Sequence, residues 1–252
     1  MNIPNPSFSD HFSKQSDAYV RGRPSYPPEF IEYLKGLAPK TKLAWDVATG
    51  NGQAAVMLAQ YFDHVYASDA SAEQIKRAAP HKSVSYHVEP AEKTALKDNS
   101  VDLVTVAVGV HWFDHDKFYA EVKRMLKPDG VIAVWMYYYD EIDGETENIV
   151  EEFRSKFLKD YWPEKFNFVI NRYENLPFPF ERIQIPEFRM KTVWRLQNLL
   201  DFLRSWSGTQ RYIDIHGEDP VNIVEPKLRA FWSNPEEEKV VKWKLYVKVG
   251  RK

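Results

Sequence analysis

Short apolar runs alternate with helical patterns over the first 140 residues of the chain. The runs with the length and composition of strands are residues 43–48, 64–69, 84–88, 101–108 and 131–137. The helical patterns that accompany them cover residues 29–34, 53–61 and 114–126. Because strands that alternate with helices pair in parallel through right-handed crossovers, this part of the chain predicts a doubly wound α/β sheet.

The pattern changes after residue 139. Residues 145–160 predict a helix, and residues 162–187 are rich in proline and aromatic side chains, which is typical of an irregular cap. A predicted strand at 188–194 and predicted helices at 196–205 and 221–232 follow. Residues 240–249 alternate between apolar and polar in their second half, which predicts a terminal edge strand.

The composition is that of a globular protein and argues against several classes of site. Of the 252 residues, 44% are hydrophobic and 28% are charged, and the formal net charge is −2. We find no basic stripe and expect no nucleic-acid surface. The absence of cysteine excludes disulfides and thiolate ligands, and the histidines are too scattered to predict a metal site. No apolar run approaches the length of a membrane span, so we expect a cytoplasmic protein.

A glycine turn after the first predicted strand is the first candidate ligand site. Residues 46–52 are Asp-Val-Ala-Thr-Gly-Asn-Gly and lead into the next predicted helix. Glycine lets a ligand approach the backbone closely, and ligands of open α/β sheets bind at the carboxyl ends of strands. The alternative is a tight turn that binds nothing.

Asp69 ends the second predicted strand, 17 residues after Gly52. A carboxylate at this place can accept hydrogen bonds from the vicinal hydroxyls of a ribose. The alternative is an acid that stabilises a helix N-terminus, since Ser71 is a good N-cap for the helix that follows. Together, the glycine turn and Asp69 favour a nucleoside ligand.

The charge of Asp46 helps to separate two classes of nucleoside cofactor. A dinucleotide-binding turn needs a third glycine, and residues 53–55 are Gln-Ala-Ala. Asp46 would also repel a pyrophosphate, whereas a cationic sulfonium tolerates a nearby carboxylate. The turn therefore favours S-adenosylmethionine over NAD.

Five motifs resemble, in order, those of the class I S-adenosylmethionine-dependent methyltransferases. They are residues 46–52, Asp69-Ala-Ser71, Pro90-Ala-Glu-Lys-Thr-Ala-Leu96, Asp102-Leu-Val104 and Leu126-Lys-Pro-Asp-Gly130. His111-Trp-Phe113 and residues 19–27 (Tyr-Val-Arg-Gly-Arg-Pro-Ser-Tyr-Pro) resemble the branch that includes the yeast-type trans-aconitate methyltransferases. The resemblance implies a Rossmann-like fold, a mostly parallel seven-stranded sheet with an antiparallel last strand and helices on both faces.

We expect one methyltransferase domain over residues 1–252. Its predicted parts are an N-terminal lid and helix (1–40), a cofactor-binding core (41–140), a cap with substrate-side insertions around the sixth strand (141–235), and the last strand (239–250).

The resemblance assigns cofactor-binding roles to residues that follow the strands. Gly50 and Gly52 would face the methionine part of the cofactor. Ala48 stands where many relatives have glycine, and Pro90 where many have an acidic residue. The full predicted set is Tyr19, Arg23, Asp46, Ala48, Thr49, Gly50, Gly52, Asp69, Ala70, Ala91, Glu92, Val108 and Trp112, with Val108 near the sulfonium and Ala70, Ala91 and Glu92 near the adenine.

His111 follows the fourth predicted strand and is the candidate catalytic residue. It could act as a general base or donate a hydrogen bond to a substrate carboxylate. The alternative is a histidine packed at a strand–helix turn. The residues at 19–26 predict a lid whose arginines bind a carboxylate, the alternative being a surface arginine pair. The predicted acceptor residues are Arg21, Tyr26, His111, Tyr137, Arg204, Trp206 and Tyr212.

These features predict methyl transfer from S-adenosylmethionine to a small acceptor, at a carboxylate or hydroxyl group. Two alternatives stay open at this point. One is a nicotinamide-dependent oxidoreductase, and the other is a non-catalytic S-adenosylmethionine-binding protein on the same fold.

Overall fold

The computed structural model describes residues 25–142 and 144–252, which form an eight-stranded sheet with helices on both faces. The strands are β1 (Leu43–Val47), β2 (His64–Asp69), β3 (Val84–Val88), β4 (Val101–Ala107), β5 (Leu126–Glu141), β6 (Glu181–Ile183), β7 (Arg189–Trp194) and β8 (Lys239–Arg251). Their order is β3–β2–β1–β4–β5–β8–β6, and β7 also pairs with β8. β1 to β5 are mutually parallel, and β8 runs antiparallel to β5.

The predicted fold class is confirmed, with one added strand. The short strand β6 lies inside the segment predicted as an irregular cap and pairs with the end of β8. The prediction of a terminal edge strand is wrong, because β8 pairs with β5 on one side and with β6 and β7 on the other. Apolar and polar residues alternate along β8 because Val241, Trp243 and Leu245 are buried while the residues between them are partly exposed. One-sided burial produces that pattern at any place in a sheet.

The helices are α1 (Pro28–Leu37), α2 (Gln53–Leu58), α3 (Ala72–Lys76), α4 (His115–Met125), α5 (Gly144–Glu152), α6 (Asn167–Ile170), α7 (Leu196–Arg204), α8 (Ser207–His216) and α9 (Val221–Trp232). Pro28 starts α1, where its missing N–H costs nothing. The predicted helix at 145–160 is α-helical only to Glu152 and continues as a π-helical turn (Phe153–Phe157) and a 3₁₀ turn (Lys159–Tyr161). Helix α8 was absent from the predicted elements. No helix of the described ranges is long and apolar enough to span a membrane.

Each face of the sheet has its own hydrophobic core. On one face, Phe30 and Leu34 of α1 pack with Trp135 and Trp243. On the other face, residues of α4 such as Phe118 pack with strands β1, β4 and β5. The residues of β4 are buried as far as Val106, as its apolar sequence predicts. The two cores hold the carboxyl ends of the parallel strands at one edge of the sheet, where the candidate ligand residues lie.

Candidate functional site

The backbone of the turn after β1 has three residues in left-handed conformations and passes close to Tyr86. Ala48, Gly50 and Gly52 have φ angles of 52°, 57° and 84°, in the left-handed region. A Cβ on Gly52 would collide with the hydroxyl of Tyr86, and the φ of Gly52 is one that other residues rarely adopt, so the position favours glycine. Helix α2 begins directly after this turn. The predicted strand–turn–helix unit is therefore present.

Asp46 lies beneath this turn and connects it to β4. Its side chain is 1% exposed, and its two carboxylate oxygens accept hydrogen bonds from the hydroxyls of Thr49 (2.6 Å) and Thr105 (2.7 Å). Burial raises the pKa of Asp46 to about 6; the two hydroxyls oppose this rise and the charge of Asp69 adds to it. Asp46 thus places negative charge under the turn while its side chain stays fully bonded to protein.

Asp69 holds the glycine turn and the start of α3 together. One carboxylate oxygen accepts a hydrogen bond from the Gly50 amide (2.9 Å), and the other accepts one from the Ser71 amide (2.8 Å). Ser71 in turn caps α3 by accepting from the Gln74 amide, as its position predicts. Asp69 is only partly buried. A carboxylate oxygen can accept more than one hydrogen bond, so bonding to the helix start does not exclude binding of a hydroxyl-bearing ligand.

The segment after β3 is bonded to the segment after β4, whose first residues contact the turn after β1. Glu92 accepts a hydrogen bond from the Asp114 amide (2.9 Å), which ties the segment after β3 to the N-terminus of α4. Val108 has a φ of 57°, and its amide donates to the Trp135 carbonyl (2.8 Å). A Cβ on Gly109 would lie 2.8 Å from the Cβ of Ala48, so the β1 and β4 turns are in contact. Of the predicted adenine neighbours, Ala91 is buried, Glu92 is partly buried and Ala70 is exposed.

His111 is 3% exposed and lies in the 3₁₀ turn that follows β4. Its Nδ1 is 2.9 Å from the hydroxyl oxygen of Tyr173, which is also buried. Burial, with smaller contributions from the neighbouring His115 and Lys165, lowers the pKa of His111 to about 3. The imidazole is therefore neutral at physiological pH. Next to it, the Trp112 carbonyl accepts a hydrogen bond from the Lys165 ammonium (2.7 Å).

An aromatic wall, formed by His111, Phe166, Trp162, Trp206 and Phe153, extends from this turn into the cap. The ring centroids of Trp162 and Phe166 are stacked 4.2 Å apart, and Phe166 is 6.4 Å from His111. On the other side, Trp162 is 5.7 Å from Trp206, which is 6.2 Å from Phe153. The wall brings the predicted residues His111 and Trp206 onto one connected surface.

Sequence reasoning missed Tyr173, Trp162 and Phe166. All three lie in residues 162–187, the segment predicted as an irregular cap. The segment has no helical or strand period, so a side chain there has no predicted direction. Its abundance of aromatic residues was the available signal, but that abundance does not say which ring meets His111.

The other predicted acceptor residues are more widely spread. Tyr26 packs edge-on against Trp135 (5.4 Å) and lies 6.4 Å from Tyr137. Tyr212 packs on Tyr161 (4.9 Å). Tyr19, Arg21 and Arg23 lie outside the described residues.

Arg204 has carboxylate partners within the protein. Its guanidinium donates to Asp219 at 2.7 Å and lies 3.6 Å from a carboxylate oxygen of Glu225. A substrate carboxylate would have to compete with both groups, so we leave Arg204 out of the proposed acceptor site. Within the described ranges, the acidic and histidine side chains form no group that could hold a metal ion.

A family model described as a methyltransferase domain matches residues 45–134. A Dictyostelium discoideum protein named as a methyltransferase is 30% identical over 245 residues, covering 95% of this chain and 93% of that protein. An uncharacterised methyltransferase of Mycobacterium tuberculosis is 33% identical over 198 residues, covering 78% of this chain and 76% of its own length.

A solved structure described as a type II methyltransferase from Anaeromyxobacter dehalogenans has the same fold. It is 35% identical, superposes with a TM-score of 0.83, and the match covers 91% of this chain and 97% of that one.

Proposed function

The chain belongs to the class I S-adenosylmethionine-dependent methyltransferases, and we propose that it transfers the cofactor's methyl group to a small acceptor at a carboxylate or hydroxyl group. The observation that carries the proposal is the position of Asp69, whose partly exposed carboxylate is bonded to the Gly50 amide at the carboxyl edge of the sheet. A nucleoside bound there would meet the carboxylate and the open glycine backbone together.

The residues at this edge fit the cofactor. We propose that Asp69 binds the ribose hydroxyls, that Gly50 and Gly52 face the methionine part, and that residues 70, 91 and 92 border the adenine. Bound S-adenosylmethionine supplies a methyl group on a positively charged sulfur, which is already activated for transfer. Asp46 acts through the turn, because its buried negative charge favours a cationic ligand over a pyrophosphate.

For the acceptor we propose a site between the two aromatic groups described above. One contains Tyr26 and Tyr137, and the other contains His111 and Trp206. Their rings can exclude water and orient the acceptor, and positioning with desolvation is most of what this transfer needs. The resemblance to the trans-aconitate branch supports a carboxylate acceptor. In this proposal, Arg21 and Arg23 bind that group; both lie outside the described residues.

Binding and transfer can be measured separately. Calorimetry with S-adenosylhomocysteine and with NAD tests the cofactor, and we expect binding of the first alone. Methyl-labelled S-adenosylmethionine, incubated with a panel of small carboxylic acids and alcohols, tests the reaction. Binding of NAD alone would support the oxidoreductase alternative. Binding of S-adenosylhomocysteine without transfer to any member of the panel would support the non-catalytic alternative.

A further inference from the structure

We infer that Tyr173 is a positioning residue that holds His111 in a single neutral tautomer, so that His111 serves the acceptor as a hydrogen-bond donor through Nε2 and not as a general base. This inference rests on the proposed function for the identity of the acceptor. The tautomer itself is a property of the protein alone.

The hydrogen-bond inventory of the pair determines the tautomer. The hydroxyl of Tyr173 is buried, and within the described part of the chain its one hydrogen-bond partner is Nδ1 of His111, at 2.9 Å. If Nδ1–H donated to the tyrosine oxygen, the tyrosine hydrogen would be buried without an acceptor, which costs about 1–3 kcal/mol. If the tyrosine donates, Nδ1 is the acceptor and the ring hydrogen lies on Nε2. In the second arrangement the tyrosine hydroxyl and Nδ1 are both satisfied, and the one group of the pair that keeps no partner within the described ranges is Nε2–H.

The backbone around Tyr173 indicates that the contact is imposed by the fold. Arg172 and Tyr173 have φ angles of 51° and 61°, two consecutive left-handed residues that are not glycine. Such conformations cost of order 1–3 kcal/mol each and persist only where the surroundings fix them. The Arg172 guanidinium lies over the rings of Tyr138 (5.6 Å) and Tyr246 (5.5 Å), which anchors this turn to β5 and β8.

The charges around His111 oppose protonation. Within residues 25–142 and 144–252, the titratable groups that face it are His115 at the start of α4, Lys165 in the cap and the neutral Tyr173. None of these three is a carboxylate, so none of them stabilises an imidazolium. Burial and these neighbours keep the pKa of His111 at about 3. A general base needs a pKa near the working pH, and His111 lacks it.

A donor at Nε2 suits an acceptor that is already nucleophilic. Within the described ranges Nε2 has no hydrogen-bond partner, so its N–H is available to an oxygen lone pair of the acceptor. In the transfer to a carboxylate, a lone pair of the acceptor oxygen forms the bond to the methyl carbon as the carbon–sulfur bond breaks and its electrons go to sulfur. His111 neither gains nor loses a proton in this step.

The test is the tautomer of His111, measured by long-range ¹H–¹⁵N correlation on ¹⁵N-labelled protein with and without S-adenosylhomocysteine. The His111 signal is assigned by its loss in His111→Gln. We expect a protonated Nε2 and an unprotonated Nδ1, unchanged from pH 8 to pH 5. Tyr173→Phe should lose this single-tautomer signature and show a mixture. Tyr119→Phe is the matched control, because Tyr119 is a buried tyrosine whose hydroxyl donates to the Pro177 carbonyl instead.

Three results would overturn the inference: a wild-type Nδ1–H tautomer, titration of His111 between pH 5 and pH 8, or an unchanged tautomer in Tyr173→Phe. The wild-type spectrum decides the tautomer even if Tyr173→Phe does not fold. Failure to bind S-adenosylhomocysteine would contradict the proposed function without affecting the tautomer. With a carboxylate acceptor from the panel, the pH profile of kcat should show no group that must be deprotonated with the pKa of a histidine.

Discussion

The proposed cofactor side and the proposed acceptor side of this sheet edge are built by different means. On the cofactor side, backbone amides place the polar groups, as in the bonds from Gly50 and Ser71 to Asp69. On the acceptor side, stacked rings of the cap place His111 and Trp206. The first kind of site depends on short loops between neighbouring strands. The second depends on contacts between residues far apart in the chain, and we expect the two sides to respond separately to substitution.

Trp206→Ala should cause the largest change, a loss of stability that leaves the proposed cofactor side unaffected. Trp206 is 9% exposed and packs against Phe153, Trp162 and Phe202. Loss of a buried tryptophan costs about 3–5 kcal/mol, so the midpoint of urea unfolding should fall sharply. Affinity for S-adenosylhomocysteine, measured where the variant is folded, should stay within about twofold. A large loss of affinity would show that the two sides are coupled.

Asp69→Ala is the opposite test. It removes the proposed ribose contacts and should weaken S-adenosylhomocysteine binding about 100-fold in calorimetry, close to 3 kcal/mol. Asp69→Asn keeps one acceptor oxygen, so its affinity for S-adenosylhomocysteine should lie between those of Asp69→Ala and wild type. The circular dichroism spectrum should be unchanged. Unchanged affinity in Asp69→Ala would contradict the ribose role.

Acid stability should distinguish His111 from an exposed histidine. The pKa of His111 is about 3 in the folded protein against an ordinary value of 6.5, so below pH 6.5 the unfolded chain binds a proton that the folded protein does not. His111 therefore contributes stability that is present above pH 6.5 and is lost as the pH falls towards 3. At pH 5 this loss is about 2 kcal/mol.

His111→Asn should remove this loss, so its deficit in unfolding free energy against wild type should shrink between pH 7 and pH 5. Ile149→Val, which removes no titratable group, is the control and should show a constant difference. An equal pH dependence in wild type and His111→Asn would show that His111 is not buried as a neutral imidazole.

Asp46 changes the stability in the opposite sense. Because its pKa is raised in the folded protein, its contribution to the unfolding free energy is greatest at low pH and diminishes towards pH 6.

Ala48→Gly should have the smallest effect, and it tests the backbone of the cofactor side. Alanine in the left-handed region costs roughly 1–2 kcal/mol, and glycine loses about 0.5–1 kcal/mol more entropy on folding. The variant should therefore be more stable by up to about 1 kcal/mol, a rise of a few degrees in the melting temperature. Ala54→Gly, in helix α2, should be less stable by about 1 kcal/mol. A fall in stability for Ala48→Gly would mean that its Cβ contact outweighs the strain.

The same contrast explains what the sequence could predict. The five parallel strands and the turn at Asp46–Gly52 follow from apolar runs and glycine, both of which are local signals. The partner of His111 cannot be predicted from such local signals, because Tyr173 lies 62 residues further along the chain, in a segment without a helical or strand period. The position of β8 was predicted wrongly because alternation reports which face is buried and not how many neighbours a strand has. Arg204 has an unremarkable sequence context, and only the fold shows Asp219 beside it.

The interior position of β8 bears on the order in which the protein can be completed during synthesis. β8 follows every other described strand in the chain, yet it covers the edge of β5 from Val131 to Glu141. A ribosome therefore releases β5 with an unpaired apolar edge, of the kind that aggregates with other chains. We expect ribosome-stalled chains that end at residue 238 to be cut by protease within residues 126–141, and chains released after residue 251 to resist. Protection from aggregation thus begins only when residues 239–251 have emerged.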